Sequence, residues 1–360
     1  MRPTCVASLL LMACSGPVAS DDAGTAGGGA TAGGSTAGGG ETATAGGANA
    51  TAGGGATAGG GAATAGGGGA AAGGSATAGG GMVAADAGCG SLPSAPITFT
   101  TFTMGQTGSE DLAFDGKGHV ALRRGMLLEL VDSTPTRSPL VASLPSSFGM
   151  RFRADGTLLV ALPGDGRIVA VTDAGVVSNF ATGLSSPNGV YPDVDGTLWV
   201  TEFGGNRVVR FPSDGGNQPT TVVGPAQASS PNGVVRDAQK NDLFFTNYSA
   251  GTVLRLDLDT AGTAAAFETI AGTSLDGMTM DVCGNLYVVD QSGGRRLYRI
   301  RRDATGAKVG SAEVLATFPT GVANPQFGRG AGFQPQSIYV VGTPGTVYAV
   351  PVGVEGAPIP

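Results

Sequence analysis

The chain of 360 residues contains 65 glycines and has a formal net charge of −7. This acidic balance argues against a nucleic-acid-binding protein. The single histidine, His119, excludes a metal site built from several histidines. Any hydrolytic chemistry is therefore expected to use carboxylates, amides and a metal ion.

The N-terminal residues predict an export signal. Arg2 precedes a short apolar run, Val6 to Ala13, that is too short to span a bilayer. Leu11-Met12-Ala13-Cys14 resembles the bacterial lipobox, which implies a lipoprotein signal peptide over residues 1–13 and lipidation of Cys14. The alternative is an ordinary secretory signal that contains a cysteine. The resemblance implies an exported protein, anchored by lipid to the bacterial outer membrane or cell surface, on the periplasmic or extracellular side.

Residues 14–90 are predicted to be a disordered, low-complexity tether. Within residues 21–80, 56 of 60 positions are Gly, Ala, Thr or Ser. Such a segment has nothing with which to form a core. A Gly-rich coil of ~65 residues has a reach of about 45 Å, which would hold a domain away from a bilayer. Compositional drift in a segment that only has to stay unfolded is the alternative explanation.

After residue 90 the sequence contains six related copies of one unit. Asn188-Gly-Val-Tyr-Pro-Asp-Val-Asp-Gly-Thr-Leu-Trp-Val recurs as Asp276-Gly-Met-Thr-Met-Asp-Val-Cys-Gly-Asn-Leu-Tyr-Val. The copies begin 38 to 48 residues apart, at Glu110, Phe148, Asn188, Asn232, Asp276 and Asn324. Each continues with an apolar strand, a Gly-rich turn, an alternating strand and a fourth short strand. Four short strands per ~43 residues, repeated six times, predict an all-β, six-bladed β-propeller over residues 91–360.

Two features concern closure of the ring. Ile97–Phe102 is predicted to be a strand that joins the last blade. With Cys5 assigned to the signal and Cys14 to the lipid site, Cys89 and Cys283 remain. In the oxidising compartment that export implies, they are predicted to form a disulfide beside the closing blade, with two free thiols as the alternative.

Polar residues recur where each innermost strand begins. In a propeller these positions converge at one mouth of the central channel, with Phe148 as an apolar exception. Two carboxylates close together there need a cation or a proton between them, and carboxylate and amide oxygens favour a hard divalent ion. Asn-Gly and Asp-Gly are also common turn dipeptides, and a channel that holds only water is the alternative. The polar members of the set are Glu110, Asn188, Asn232, Asp276 and Asn324.

Two consecutive repeat units carry a family resemblance. Ser230-Pro231-Asn232-Gly233-Val234 and Leu275-Asp276-Gly277-Met278-Thr279-Met280-Asp281 resemble blades of the senescence marker protein, gluconolactonase and luciferin-regenerating enzyme family. The similarity covers about residues 105–355 and is strongest over 186–300. It implies a divalent cation, Ca²⁺ first and Mg²⁺, Mn²⁺ or Zn²⁺ as alternatives, and a further asparagine near the substrate. The implied metal ligands are Glu110, Asn232 and Asp276, and the further asparagine is Asn188.

The sequence also departs from that family. Asp111-Leu112 follow Glu110 where the family usually has Gly-Pro, and Phe114 occupies a Trp position. Ser186-Pro187 stand where the family has a sugar-binding arginine. These departures make a sugar lactone the least supported part of the implied function.

The resemblance implies metal-assisted hydrolysis of a small-molecule lactone or related ester. The cation would polarise the carbonyl and lower the pKa of a water molecule, and Asn188 would orient the substrate. Asp276 would be the general base, a role that contributes roughly 10²–10⁴-fold. Phe148 would provide either an apolar wall or a channel plug.

Two other classes of function stay open at the level of sequence. One is a non-catalytic surface propeller that binds a protein or glycan. The other is a propeller that cleaves cyclic esters with a histidine base, which the alignment of His119 with the turn residues Thr197 and Asn285 disfavours. In each case the protein is expected to be a monomer whose membrane contact is the lipid anchor alone.

Overall fold

The computed structural model describes residues 89–359, except 261, 292 and 343. The predicted signal peptide, Cys14 and nearly all of the predicted tether lie outside the described residues. Within these described ranges, no helix has the length and apolar character needed to cross a membrane.

Six four-stranded antiparallel sheets form a six-bladed β-propeller, which confirms the fold that the repeats predict. Blades 1 and 2 consist of β2–β5 (Ala113–Phe114, His119–Arg124, Leu127–Asp132, Arg137–Val141) and β6–β9 (Met150–Phe152, Leu158–Leu162, Arg167–Val171, Val177–Ala181). A short 3₁₀ helix, Pro163–Asp165, connects β7 to β8. Blades 3 and 4 consist of β10–β13 (Pro187–Pro192, Leu198–Glu202, Arg207–Phe211, Thr220–Val223) and β14–β17 (Pro231–Asp237, Asp242–Asn247, Thr252–Asp257, Ala265–Thr269). Blades 5 and 6 consist of β18–β21 (Leu275–Met280, Leu286–Asp290, Arg296–Arg302, Lys308–Thr317) and β22–β24 (Asn324–Phe327, Ser337–Val341, Thr346–Pro351) with β1 (Thr100–Met104).

The N-terminal strand closes the ring. β1 pairs antiparallel with β24, so the assignment of this segment to the last blade is confirmed. The predicted bounds of the strand, 97–102, are wrong, because Ile97 lies against blade 5. Its main-chain N–H donates to the Leu315 carbonyl at 2.7 Å, and its side chain packs in the core between blades 5 and 6. Cys89 and Cys283 form a disulfide with a Cα–Cα distance of 5.7 Å, which joins the segment before β1 to the turn after β18.

The hydrophobic core lies between neighbouring blades. The second strand of each blade from blade 2 to blade 6 is buried at every position, including Leu243, Phe244 and Phe245 in β15. A strand covered on both faces is a continuous apolar run rather than an alternating pattern. Burial of one such side chain contributes roughly 2 kcal/mol.

Ion pairs and the C-terminal segment join the blades at the end of the channel remote from residues 188, 232 and 276. Two arginines there pair with carboxylates of the preceding blade, Arg236 with Asp193 at 3.2 Å and Arg302 with Asp237 at 2.8 Å. Elsewhere in the channel, Arg151 of blade 2 pairs with Asp111, which precedes blade 1, at 2.7 Å. Residues 355–357 run beside the end of β18, where Val282 N–H donates to the Glu355 carbonyl and Ala357 N–H to the Met280 carbonyl.

Candidate functional site

The structure places the recurring polar residues at one end of the innermost strands. Asn188, Asn232 and Asp276 are each the second residue of their strand, and Asn324 is the first residue of β22. Glu110 lies three residues before β2. The Asn324 amide donates to the Glu110 carbonyl at 3.1 Å, which links the last blade to the first at this mouth.

The glycine that follows Asn188, Asn232 and Asp276 lies in a strand, not in a turn. The pairing of the first and second strands shifts register between Pro187 and Val190, and likewise in blades 4 and 5. Such bulges re-aim side chains and are common beside functional sites. A Cβ at Gly189 would collide with the Asn232 carbonyl, and one at Gly233 would lie 2.7 Å from the Asp276 carbonyl. The Asn-Gly and Asp-Gly dipeptides therefore bring successive blades together at the mouth.

Two threonines fix the main chain of the metal-ligand candidates. Gly189 N–H donates to Thr201 Oγ1 at 2.7 Å, and this hydroxyl donates to the Asn232 carbonyl at 2.5 Å. Gly233 N–H donates to Thr246 Oγ1 at 2.8 Å, and that hydroxyl donates to the Asp276 carbonyl at 2.8 Å. Blades 3, 4 and 5 are thus connected, one to the next, directly beneath the site. Sequence reasoning missed both threonines, although each ends the same apolar run, Leu-x-x-Thr.

Four predicted residues come together in this mouth. The Asn188 side chain lies near the Glu110 carboxylate, and the Asn232 side chain lies near the Asp276 carboxylate. Burial, followed by the charge of Asp111, raises the pKa of Glu110 to about 8. Burial, followed by the charge of Glu110, raises the pKa of Asp276 well above its ordinary value. Each carboxylate is therefore costly to ionise unless a cation lies beside it.

Asp111, which sequence reasoning treated only as a departure from the family, has a structural partner. Its carboxylate accepts from Arg151 at 2.7 Å and from the Met150 N–H at 2.8 Å, across the boundary between blades 1 and 2. The pKa of Asp111 is raised by burial, against the opposing effect of the Arg151 charge. Asp111 thus has a cationic partner in Arg151, whereas no salt bridge to Glu110 or Asp276 is formed among the described residues.

Three buried oxygen atoms at the site fit a hard cation. Asp276 Oδ1, Asp276 Oδ2 and Asn232 Oδ1 are inaccessible to solvent, and none accepts a hydrogen bond of full geometry from any residue the structure describes. Buried polar atoms of this kind cost free energy unless a ligand satisfies them. No three His, Cys, Asp or Glu side chains are grouped as a metal site in the described part of the chain. A cation here would therefore depend on asparagine amides as well as on the two carboxylates, a donor set that suits Ca²⁺ or Mg²⁺.

The remaining candidate residues lie as follows. Phe148 is half-buried two residues before β6, and its N–H donates to the Ala161 carbonyl at 3.0 Å. His119 begins β3, where its Nδ1 lies 2.8 Å from Asp115 Oδ2 and its side chain is 44% exposed. Asp115 is five residues beyond Glu110, so the histidine lies at the opposite end of blade 1 from the site.

A cavity of about 320 Å³ lies at the remote end of blades 3 to 5. Two of its arginines are paired with carboxylates within the protein, Arg236 with Asp193 and Arg302 with Asp237. The convergence of unsatisfied oxygens, rather than cavity size, therefore identifies the mouth near Asp276 as the candidate site.

Comparison with known proteins supports the fold. No protein-family model matches the sequence, and no curated protein matches it. The structure is similar to that of a gluconolactonase from Xanthomonas campestris, with a TM-score of 0.57, 18% identity and coverage of 71% of this chain and 89% of that one. It is also similar to regucalcin, a calcium-binding protein from Agrobacterium tumefaciens strain C58, with a TM-score of 0.58, 17% identity and coverage of 74% and 97%. The six-bladed fold that the repeats predict is confirmed by these neighbours.

A third solved structure represents another activity. A catalytically inactive virginiamycin B lyase from Staphylococcus aureus, in which a histidine is replaced by alanine, has a TM-score of 0.52 and 16% identity, with coverage of 68% of this chain and 80% of that one. At these identities the neighbours establish the propeller architecture, and the chemistry has to be argued from the site.

Proposed function

We propose that this protein is a divalent-cation-dependent hydrolase of a lactone or related ester. The observation that carries the proposal is the group of buried, unsatisfied oxygens of Asp276 and Asn232 beside Glu110. The gluconolactonase and the calcium-binding regucalcin among the structural neighbours support the reaction class and the cation. Ca²⁺ is the preferred ion, with Mg²⁺, Mn²⁺ or Zn²⁺ as alternatives.

Glu110, Asn232 and Asp276 would hold the cation, which would supply Lewis-acid polarisation of the substrate carbonyl. Asp276, ionised beside the cation, would accept a proton from the attacking water. Asn188, whose side chain lies near Glu110, would orient the substrate. Phe148 would supply the apolar side of the mouth.

A metal titration tests the proposal directly. The melting temperature of the metal-free protein is expected to rise with Ca²⁺, Mg²⁺, Mn²⁺ or Zn²⁺, and lactone hydrolysis is expected to require the same ion. Asp276→Asn should abolish both effects, whereas Asp173→Asn, in the exposed β8–β9 turn, should leave both unchanged. Turnover that survives in Asp276→Asn would contradict the mechanism.

A non-catalytic surface propeller that binds a protein or glycan is the second candidate. Ser186-Pro187 in place of the family's sugar-binding arginine favours it. The absence of a thermal shift with every ion would support this second function over the first.

We also propose that the propeller is displayed on a membrane as a monomer by a lipid on Cys14. The lipobox-like segment and the Gly/Ala/Thr-rich region that follows it support this proposal. Cys14→Ala is expected to release the protein from the membrane fraction.

A further inference from the structure

One row of side chains crosses the mouth above the predicted metal ligands. Phe203, Tyr248 and Gln291 each directly follow the second strand of their blade, namely β11, β15 and β19. They therefore occupy one equivalent position in three consecutive blades. All three are half-buried, as expected for residues at the rim of a channel.

Contacts connect this row from one blade to the next. The rings of Phe203 and Tyr248 meet edge-on, with centroids 5.8 Å apart. The Tyr248 hydroxyl then donates to Gln291 Oε1 at 2.5 Å. The backbone fixes the same register, because Leu275 N–H donates to the Tyr248 carbonyl at 3.1 Å and Gln291 N–H to the Ser274 carbonyl at 2.9 Å. Tyr248 and Gln291 are thus both held against the residues that immediately precede Asp276.

The hydrogen bond from Tyr248 determines which end of the Gln291 amide faces the site. A carboxamide that accepts at Oε1 presents its Nε2 donors in the other direction. The Gln291 side chain lies near the Asp276 carboxylate, where it favours the ionised form against the larger effects of burial and of the Glu110 charge. Neither Asp276 oxygen accepts a hydrogen bond of full geometry from it. A neutral donor in this position restrains the carboxylate without neutralising its charge.

We propose that Tyr248 and Gln291 are positioning residues for Asp276, with the tyrosine hydroxyl orienting the glutamine amide toward the carboxylate. The inference rests on the proposed function, in which Asp276 is both a cation ligand and the proton acceptor. Groups that orient a metal-ligating carboxylate through hydrogen bonds are known to affect metal affinity about 10- to 100-fold. The family resemblance assigned no role to either position.

The test is a double-mutant cycle on calcium affinity, measured by titration calorimetry with the whole chain. Gln291→Met is expected to weaken Ca²⁺ binding about tenfold. Tyr248→Phe is expected to weaken it by a smaller factor, and the double variant to bind like Gln291→Met alone, because the tyrosine acts through the glutamine. Tyr348→Phe is the matched control, since it removes a tyrosine hydroxyl contact to Thr320 of 2.8 Å in blade 6. Unchanged affinity in Tyr248→Phe, or additive losses in the double variant, would overturn the proposal.

A second measurement separates this inference from the proposed function. If the wild-type protein binds none of the four cations, the proposed function fails. The hydrogen bond between Tyr248 and Gln291 is then tested in the metal-free protein. The side-chain amide of Gln291 is then observed by NMR in protein labelled with ¹⁵N-glutamine and assigned by its loss in Gln291→Met. Slow hydrogen exchange in the wild type and in Tyr348→Phe, with fast exchange in Tyr248→Phe, is expected. Equal exchange in the wild type and Tyr248→Phe would overturn the positioning role regardless of any metal.

Discussion

The Thr246 hydroxyl in blade 4 donates to the main-chain carbonyl of Asp276 in blade 5 at 2.8 Å. The same hydroxyl accepts the Gly233 N–H at 2.8 Å, directly after the ligand candidate Asn232. One buried side chain therefore sets the spacing between two of the three residues predicted to hold the cation.

Thr246→Val keeps the shape of this side chain and removes both hydrogen bonds. The Gly233 N–H and the Asp276 carbonyl then lose a buried partner, which costs about 1–3 kcal/mol of unfolding free energy. We expect calcium affinity to fall as well, because the spacing of Asn232 and Asp276 is no longer fixed. Denaturant unfolding and calorimetry check the two effects. A stability loss with unaltered calcium affinity would show that Thr246 supports the fold but not the site.

The buried carboxylates make the stability of the metal-free protein fall as pH rises. The pKa of Glu110 is about 8 in the folded state, against an ordinary value of 4.5, and the pKa of Asp276 is also raised. Between those limits the folded protein retains protons that the unfolded chain has released, so the free energy of unfolding decreases from about pH 4.5 to about pH 8. Denaturant unfolding of chelator-treated protein across this range measures the decrease.

A bound divalent cation should remove this decrease, because it favours the ionised carboxylates. The double variant Glu110→Gln, Asp276→Asn should show a flatter profile than the wild type without any cation. A metal-free wild type whose stability stays constant or rises over this range would contradict the assigned pKa shifts.

The ion pair of Arg302 with Asp237 is expected to affect the free energy of unfolding far more than a surface ion pair does. The Arg302 side chain is 1% exposed, lies 2.8 Å from Asp237 and joins blade 5 to blade 4. Arg302→Met leaves a buried carboxylate without its cation, which costs about 3–5 kcal/mol of unfolding free energy. Arg301→Met is the control, since Arg301 is 41% exposed and its pair with Glu313 contributes less than about 1 kcal/mol. Equal losses of unfolding free energy in the two variants would show that burial of an ion pair does not change its contribution to stability.

The fold was predictable because its signals are local and repeated. Each copy of the repeat contains the same pattern of strand, turn and strand. An error in one blade, such as the bounds of β1, therefore does not change the predicted number of blades. The location of the candidate site was predictable for the same reason, because residues at equivalent positions of the repeat lie at the same end of the central channel. The structure brings Glu110, Asn188, Asn232 and Asp276 together there.

Side-chain contacts between blades could not be predicted from the sequence repeats. The pairing of Asp111 with Arg151 joins residues 40 positions apart, and that of Tyr248 with Gln291 joins residues 43 apart. Neither pair follows from hydrophobic periodicity, because each depends on how two neighbouring sheets face each other. The Asn-Gly and Asp-Gly dipeptides illustrate the same limit, since their composition suggests turns, whereas the approach of the next blade explains the glycine.

Substitution of Gly233 tests most directly whether blades 4 and 5 must pack closely together at the site. A Cβ at this position would lie 2.7 Å from the Asp276 carbonyl, 2.8 Å from the Met278 nitrogen and 2.9 Å from the Gly277 carbonyl carbon. All three are main-chain atoms of blade 5, so the clash cannot be relieved by a side-chain rotation. We expect Gly233→Ala to lower the unfolding free energy by about 1–3 kcal/mol and to abolish calcium binding, because the blades that carry Asn232 and Asp276 are forced apart. Gly224→Ala, which meets no atom within 4 Å, should have neither effect. Calcium affinity in Gly233→Ala equal to that of the wild type would mean that close approach of blades 4 and 5 is not required for the site.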